Sequence, residues 1–435
     1  MLLAGILLCP AWTRNGYTDD GPAGAPAVVQ GEEDAAADGE AAEYHTPLAG
    51  EPYQTVFLGR TVDIPARDRG QTTALTLGGT YYTPKQGNTF CTPIFALYLR
   101  RMWEDSRTRN EISIFVNDLE YDRSIAGPLE LVSRFENYTI PGGQKETLNN
   151  RDIKETSVEW GTVEASLGPG LRYMVAPFEV DNDLRLQLLG RAGYFYVSRT
   201  KETGADQILP PDTMLYGAKL RGRYDGMRRN ILELPHTGLA AGFDLDYIHR
   251  DKWADFGKRG NGIFTKADTR DYIQFNGYIT GAGGVPGMSE KNRLLFSVHG
   301  GMTPGNSADR YNALSIGGGP IPGESDDLAR TDYPGTMFNE VLVKNYVLAS
   351  LEYRRALTFF MYLHLRGTFI WAERSTLLDK DELAFRSKQG ASGMVGLDTA
   401  FIWKSEVFLA YSYDSGFIRN GKPGSGIILT WNKTF

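Results

Sequence analysis

Two alternating runs near the C-terminal third constrain the fold more than any other stretch. Lys344 to Arg354 and Thr358 to Trp371 are separated only by Arg355 to Leu357. In the first run Val347, Ala349, Leu351 and Tyr353 fall on one side, and Ser350, Glu352 and Arg354 on the other. In the second, Phe359, Met361, Leu363, Leu365, Phe369 and Trp371 oppose Tyr362, His364, Arg366 and Thr368. Successive side chains point to opposite faces of a strand, so each run is a β-strand with one apolar and one wet wall. A soluble sandwich would turn the apolar wall inward, whereas a transmembrane barrel turns it outward to lipid.

The rest of the chain decides between them. The same alternation starts near Gln71, where Thr73, Leu75, Leu77 and Tyr81 oppose Thr72, Thr76, Thr80 and Tyr82. Strands are predicted at Ile94 to Met102, Glu111 to Asp122, Pro128 to Tyr138, Thr156 to Leu167, Leu171 to Val180 and Leu184 to Ser198. Tyr216 to Asp225 and Leu239 to Tyr247 follow, then Tyr272 to Thr280 and Arg293 to Gly300. After the opening pair come Met394 to Trp403, Glu406 to Tyr413 and Gly424 to Phe435. That makes about sixteen strands, an even number as single-chain bacterial barrels have. Arg250 to Asp271, Thr303 to Val343 and Glu373 to Gly390 are long connections, while Arg355 to Leu357 and Lys404-Ser405 are very short. Long loops on one rim and short turns on the other suit a barrel inserted from one side. The expected fold is therefore all-β: a transmembrane antiparallel β-barrel of about 16 strands, closed by a C-terminal strand ending in Phe435.

Composition agrees. Beyond the extreme N-terminus no run of about 18 apolar residues occurs, so no helix is expected to span a membrane. The net charge of -7 comes without a basic, aromatic-laced stripe, which argues against nucleic acid as a partner. Cys9 and Cys91 are the only cysteines, too few for a disulfide framework and wrongly spaced for a metal site.

The domain reading follows. Residues 1–12 resemble the core of a signal peptide, although positive residues before the apolar run are missing. Residues 13–52, with EEDAAADGEAAE, are too acidic and too poor in apolar residues to sustain a core and are read as a disordered linker. Residues 53–70 lead into a barrel spanning 71–435, with 303–343 as a long extracellular plug-like loop.

Three groups of residues are candidates for function. Gly317, Gly318, Gly319, Pro322 and Gly323 lie in the long loop, where glycines allow the chain to bend back into the barrel. Lys219, Arg221, Arg223 and Asp225 face Asp244 and Asp246 on the next strand, and Glu352, Arg354, His364 and Arg366 cluster on a later pair. These charges line the lumen, either as ordinary cross-strand pairs or as an electrostatic lining for a passing substrate. Ile427, Leu429, Trp431 and Phe435 share one face of the closing strand, interrupted by Lys433. Nothing points to an enzyme: no G-x-S-x-G elbow occurs, and Ser297 with His299 lie on one strand. Glu324, Asp326 and Asp327 read as a solvated loop face rather than a calcium site, so neither metal nor cofactor is expected.

Several of these segments resemble the barrel of the BamA/TamA superfamily, found also in patatin-type autotransporters. There an "lGG…RGY" loop precedes a strand "asLEYR"; here SIGGG and ASLEYR match, while Pro322-Gly323 replaces the Arg-Gly. The turn from Tyr224-Asp225 to Gly238 carries a second likeness. The resemblance implies an integral outer-membrane barrel, monomeric and surrounded by lipid, that acts in outer-membrane protein assembly, polypeptide translocation or lipid handling. It implies a lateral gate between the weakly paired first and last strands, Gln71 to Tyr82 and Gly424 to Phe435, and Glu352 as a partner for the loop, with Arg330 an alternative donor. The periplasmic POTRA repeats of most relatives are not expected ahead of this barrel, so a periplasmic partner is expected to supply client capture. A solute pore, or a barrel anchoring a periplasmic or surface complex, are the alternatives.

Overall fold

The computed structural model describes residues 30–31, 44–85, 89–148, 151–258, 265, 267–317, 328–336, 341–377, 383–402, 405–419 and 421–435. Sixteen long strands close into one antiparallel barrel. They are β1 (Gln71–Pro84), β2 (Phe90–Met102), β3 (Ser106–Ser113), β4 (Val116–Ala126), β5 (Leu129–Gln144), β6 (Thr156–Met174), β7 (Asp183–Thr203) and β8 (Thr213–Asp225). The second half comprises β9 (Pro235–Arg250), β10 (Asp271–Gly284), β11 (Asn292–Met302), β12 (Val341–Thr358), β13 (Met361–Leu377), β14 (Leu383–Ile402), β15 (Ser405–Arg419) and β16 (Lys422–Thr434). Each pairs with its sequence neighbours, and β16 returns to β1.

The dyad pattern explains the wall. Leu77, Tyr81, Leu188, Leu245, Phe296, Leu351, Phe369, Leu409, Ile427 and Leu429 are exposed on the outside. Their strand neighbours Thr76, Thr80, Lys219, Asp246, Arg354, His364, Thr368 and Thr430 are buried on the inside. A sheet that buries its charges and exposes its leucines is inverted relative to a soluble core, and only a hydrocarbon surround makes that arrangement favourable.

The total of sixteen matches the expectation through two offsetting differences. Glu111 to Asp122 is two strands, not one. The turn between β3 and β4 contains neither glycine nor proline; Ser113 makes it, its Oγ donating to the Val116 carbonyl at 2.7 Å and accepting the Val116 N–H at 3.0 Å. Conversely, Thr156 to Leu167 and Leu171 to Val180 are not separate, because β6 runs unbroken through Gly168-Pro169-Gly170. Gly168 belongs there for lack of room: a Cβ on it would sit 2.0 Å from the Leu188 carbonyl oxygen of β7. Glu373 to Gly390 is likewise mostly strand, since β13 reaches Leu377 and β14 begins at Leu383.

The turns that join β2–β3, β4–β5, β6–β7, β8–β9, β10–β11, β12–β13 and β14–β15 lie on one rim, with the start of β1 and the end of β16. The described residues of 145–155, 251–270 and 303–336 lie on the other. Loop length does not separate strictly, because the two-residue β3–β4 turn sits on the long-loop rim.

Candidate functional site

The site is the lumen, with one segment packed across its mouth from one rim and another folded into it from the other. From the short-turn rim comes the stretch 44–70. Its start runs beside the β8–β9 turn, with Ile231 N–H donating to the Pro47 carbonyl at 2.9 Å and Ala49 N–H to that of Arg229 at 3.1 Å. The hairpin Tyr53–Phe57 and Arg60–Ile64 then packs its Tyr53 and Phe57 on Phe359 and Phe360 of the β12–β13 turn. Arg69 finishes the strap, buried among Glu233 of the β8–β9 turn (2.6 Å) and Asp181 (3.0 Å) and Glu179 (3.2 Å) of the β6–β7 turn. Residues 44–52, read from sequence as the end of a linker, are therefore packed across the barrel mouth.

From the other rim comes the limb 328–336 of the long loop. Tyr333 is fully buried against Tyr82, Phe417 and Ile418, and its hydroxyl donates to Asp414 at 2.8 Å. Arg366 of β13 donates to the Asp332 carboxylate at 2.6 Å and to its carbonyl at 2.9 Å. Leu314 and Ile316 join the same buried cluster with Tyr346, Leu348 and Ile370 of the inner wall. Next to it, Trp160, Phe195, Trp253, Phe256 and Tyr311 form a second cluster under stretches 251–257 and 304–313, beside the buried pair Arg250–Asp309 (2.5 Å).

The predicted lumen charges lie where the alternation puts them. Lys219 and Asp246 are register partners 3.7 Å apart in charge, and Arg221 and Arg223 reach Asp244 at 3.6 and 2.6 Å. Asp225 instead holds the β8–β9 turn, accepting from Met227 N–H at 2.8 Å and from Arg229 at 2.6 Å. Arg354 donates to Glu352 at 2.8 Å, and His364 Nδ1 lies 2.9 Å from the same carboxylate oxygen. Glu352 is thus occupied by its own wall. Arg330, the alternative donor to it, pairs with Glu111 of β3.

A larger charge network escaped the sequence reading. Glu120 of β4 receives Arg109 (2.6 Å), Arg134 (3.4 Å) and Arg185 (3.4 Å), and Arg221 of β8 reaches it at 3.2 Å from four strands away. Arg107 bridges Asp122 at 2.6 Å and Asp183 at 2.9 Å. The signal was present in the inward alternation of Arg107 and Arg109 with Asp118, Glu120 and Asp122, hidden by the undetected β3–β4 turn. Beside the loop limb remains a chamber of about 240 Å³ along β12–β16 and β1, lined by Glu352, His364, Asp398, Phe408 and Gly335 among others. Gly318, Gly319, Pro322, Gly323, Glu324, Asp326 and Asp327 lie outside the described residues; Gly317 is in the left-handed region, with φ of 122°.

The seam pairs without a break from Gly424↔Pro84 to Thr434↔Ala74. By contrast β3 pairs with β2 only between Ala96 and Met102. Ile427, Leu429 and Phe435 of the closing strand are exposed outside and Trp431 partly so.

Comparison with solved structures matches this geometry to the barrel of BamA from Haemophilus ducreyi lacking POTRA domains 1–3. The TM-score is 0.50 at 12% identity, over 88% of this chain and 75% of that one. The chain has the BamA barrel fold. CdiB from Acinetobacter baumannii superposes less well, with a TM-score of 0.48 at 10% identity over 90% of this chain and 66% of that one. No family model and no curated protein matches the sequence. At such identities the BamA barrel likeness carries the fold and not the activity.

Proposed function

We propose that this chain is an integral outer-membrane barrel acting in outer-membrane protein assembly, polypeptide translocation or lipid handling, with passage controlled by its own segments. One observation supports this over a passive solute pore: covalently attached chain packs across one mouth of the barrel, fixed by Arg69, and into the lumen from the other rim, fixed by the Asp332–Arg366 pair. A passive pore has no use for obstructions at both ends, whereas a conduit for large or apolar cargo must stay sealed when idle. The lipid-facing wall and the BamA barrel fold favour the outer membrane as its location. A lateral exit would have to open at a seam that is fully zipped at rest, which makes client-templated opening the economical route, since unpaired backbone in hydrocarbon costs several kcal/mol per group. A periplasmic partner would deliver the cargo.

Single-channel conductance in planar bilayers tests this. The intact barrel should be closed or flicker, and deletion of residues 317–332 should give stable openings. Large steady conductance from the intact chain would favour the solute pore. For the seam, Tyr81 and Ile427 are register partners on the outer face. A disulfide between cysteines at both positions should abolish cargo insertion while leaving conductance of the loop-deleted barrel intact. Cys91 pairs with Tyr81 from the other side and must be replaced by serine first.

A further inference from the structure

The inner wall beside the seam carries a row of polar contacts with one gap. Thr76 of β1 donates to Asn432 of β16 at 3.2 Å, and Asn432 donates to Glu406 of β15 at 3.2 Å. Glu406 lies against Asp398 of β14. On the adjoining strand β13, His364 lies 2.9 Å from Glu352 through Nδ1. Between the two halves nothing bridges: His364 Nε2 and Asp398 Oδ1 are both buried without a hydrogen-bond partner among the described residues. Both side chains line the chamber, at 3% and 2% exposure.

The chemistry of the gap is one-sided. A carboxylate can only accept, so the His364 Nδ1–H donates to Glu352, with Arg354 Nε 3.4 Å from the same nitrogen, and in the neutral ring Nε2 is left as an acceptor. Asp398 Oδ1 is an acceptor as well. The guanidinium groups that line the chamber are engaged, Arg366 by Asp332 and Arg354 by Glu352. Two acidic side chains, Asp398 and Glu406, lie against one another in this buried wall, and a donor that also carries positive charge relieves that crowding best. Beside the gap the wall is apolar, with Phe408 edge-on to His364 at 5.9 Å between centroids and Met394, Ala410 and Leu234 around it.

We propose that this chamber is a binding site for a small organic ammonium ion. The ammonium head donates to Asp398 Oδ1 and His364 Nε2, and the apolar body lies against Phe408, Met394 and Ala410, where an aromatic neighbour also favours a cation. The chamber adjoins the seam, because Thr430 and Asn432 of β16 and Thr76 and Thr80 of β1 form its far side. An occupant would thus bind where the first and last strands meet. The site stands independently of the cargo read above.

Benzylamine is the probe, with benzyl alcohol as its neutral counterpart, on the full purified chain in detergent micelles. Benzylamine should raise the unfolding temperature in a saturable manner and benzyl alcohol should not. Asp398→Asn should weaken the apparent Kd for benzylamine by about tenfold or more. Met394→Trp, which fills the chamber without touching the polar pair, should abolish binding and carries the test if the Asp398 variant does not fold. Equal protection by benzyl alcohol, equal affinity in the variants, or no saturable shift in the wild type each overturns the proposal.

Discussion

Arg69 Nη2 donates to Glu233 Oε2 at 2.6 Å with both side chains buried, which ties the strap before β1 to the β8–β9 turn. Removing one partner of a buried pair leaves an uncompensated charge and costs about 3–5 kcal/mol. Arg67 also reaches Glu233, so Arg69→Ala is expected near the lower end, about 3 kcal/mol. The barrel strands should still form, seen as heat-modifiable migration on gels, while the strap becomes protease-sensitive. A variant whose strap stays as resistant as the wild type would show that the hairpin contacts on Phe359 and Phe360 hold it alone.

Acid should not release the strap until the pH is very low. Burial raises the Asp181 carboxyl, but Arg100, Arg69 and Arg229 overrule it and hold it down at about 2. A depressed carboxyl contributes stability that is complete above its ordinary value near 4 and is lost as pH falls through the folded value. Glu179 goes the other way: burial outweighs Arg69 and Arg228 and raises it. Its contribution is present below its ordinary value and fades as pH rises through the raised one. Between neutrality and pH 4 the Asp181 contribution is constant while that of Glu179 grows as pH falls, so docking should hold or tighten slightly there and fail only as Asp181 protonates below its ordinary value. A nitroxide on Leu58→Cys at the exposed hairpin tip, in a Cys91→Ser background, reads this; mobilisation centred near pH 5 or 6 would refute it.

What the sequence reveals of this barrel follows from local chemistry, and what it conceals from close packing. Alternation from Gln71 onward marks which residues face lipid and which face the lumen, because a strand has a period of two and every slip exposes the wrong wall. The Lys219–Asp246 and Arg221–Asp244 juxtapositions could thus be read from the chain alone. Gly168-Pro169-Gly170 misled, because glycine and proline usually signal turns, whereas Gly168 serves an approach to Leu188 that no local pattern records. The loop limb left one readable trace. Val341, Val343, Tyr346, Leu348, Ile370 and Ala372 make the inner wall apolar at one end, which only a segment folded onto it explains. The strap left none, since Arg69 finds its carboxylates more than a hundred residues away.

Adjacent glycines on β1 should respond differently to the same change. A Cβ on Gly78 would lie 2.2 Å from the Leu429 carbonyl oxygen and 2.9 Å from the Thr430 Cα of β16, while one on Gly79 would meet only the Thr92 carbonyl oxygen, at 3.5 Å. Backbone atoms cannot yield as side-chain tips do, so Gly78→Ala should cost about 1–3 kcal/mol as overpacking and loosen the seam. Gly79→Ala should fall within about 0.5 kcal/mol of wild type. Urea unfolding in bilayers measures both; equal losses would mean that the register Thr430↔Gly78 is wrong.

The outer wall makes the last test. Leu351 is 57% exposed near the middle of β12, next to the lumen-facing Ser350 and Glu352. In a water-soluble protein a lysine there would be nearly neutral, because an exposed leucine contributes little. In a barrel whose wall meets hydrocarbon, Leu351→Lys should destabilise by about 2–4 kcal/mol in lipid bilayers, the charge being near the midplane. The same substitution at Leu58, on the hairpin tip and 86% exposed, should be silent, since that residue lies off the barrel wall. Unfolding in vesicles compared with detergent separates the two surroundings. A Leu351→Lys barrel as stable in vesicles as the parent would mean that this wall does not face lipid, and the membrane-spanning reading would fall with it.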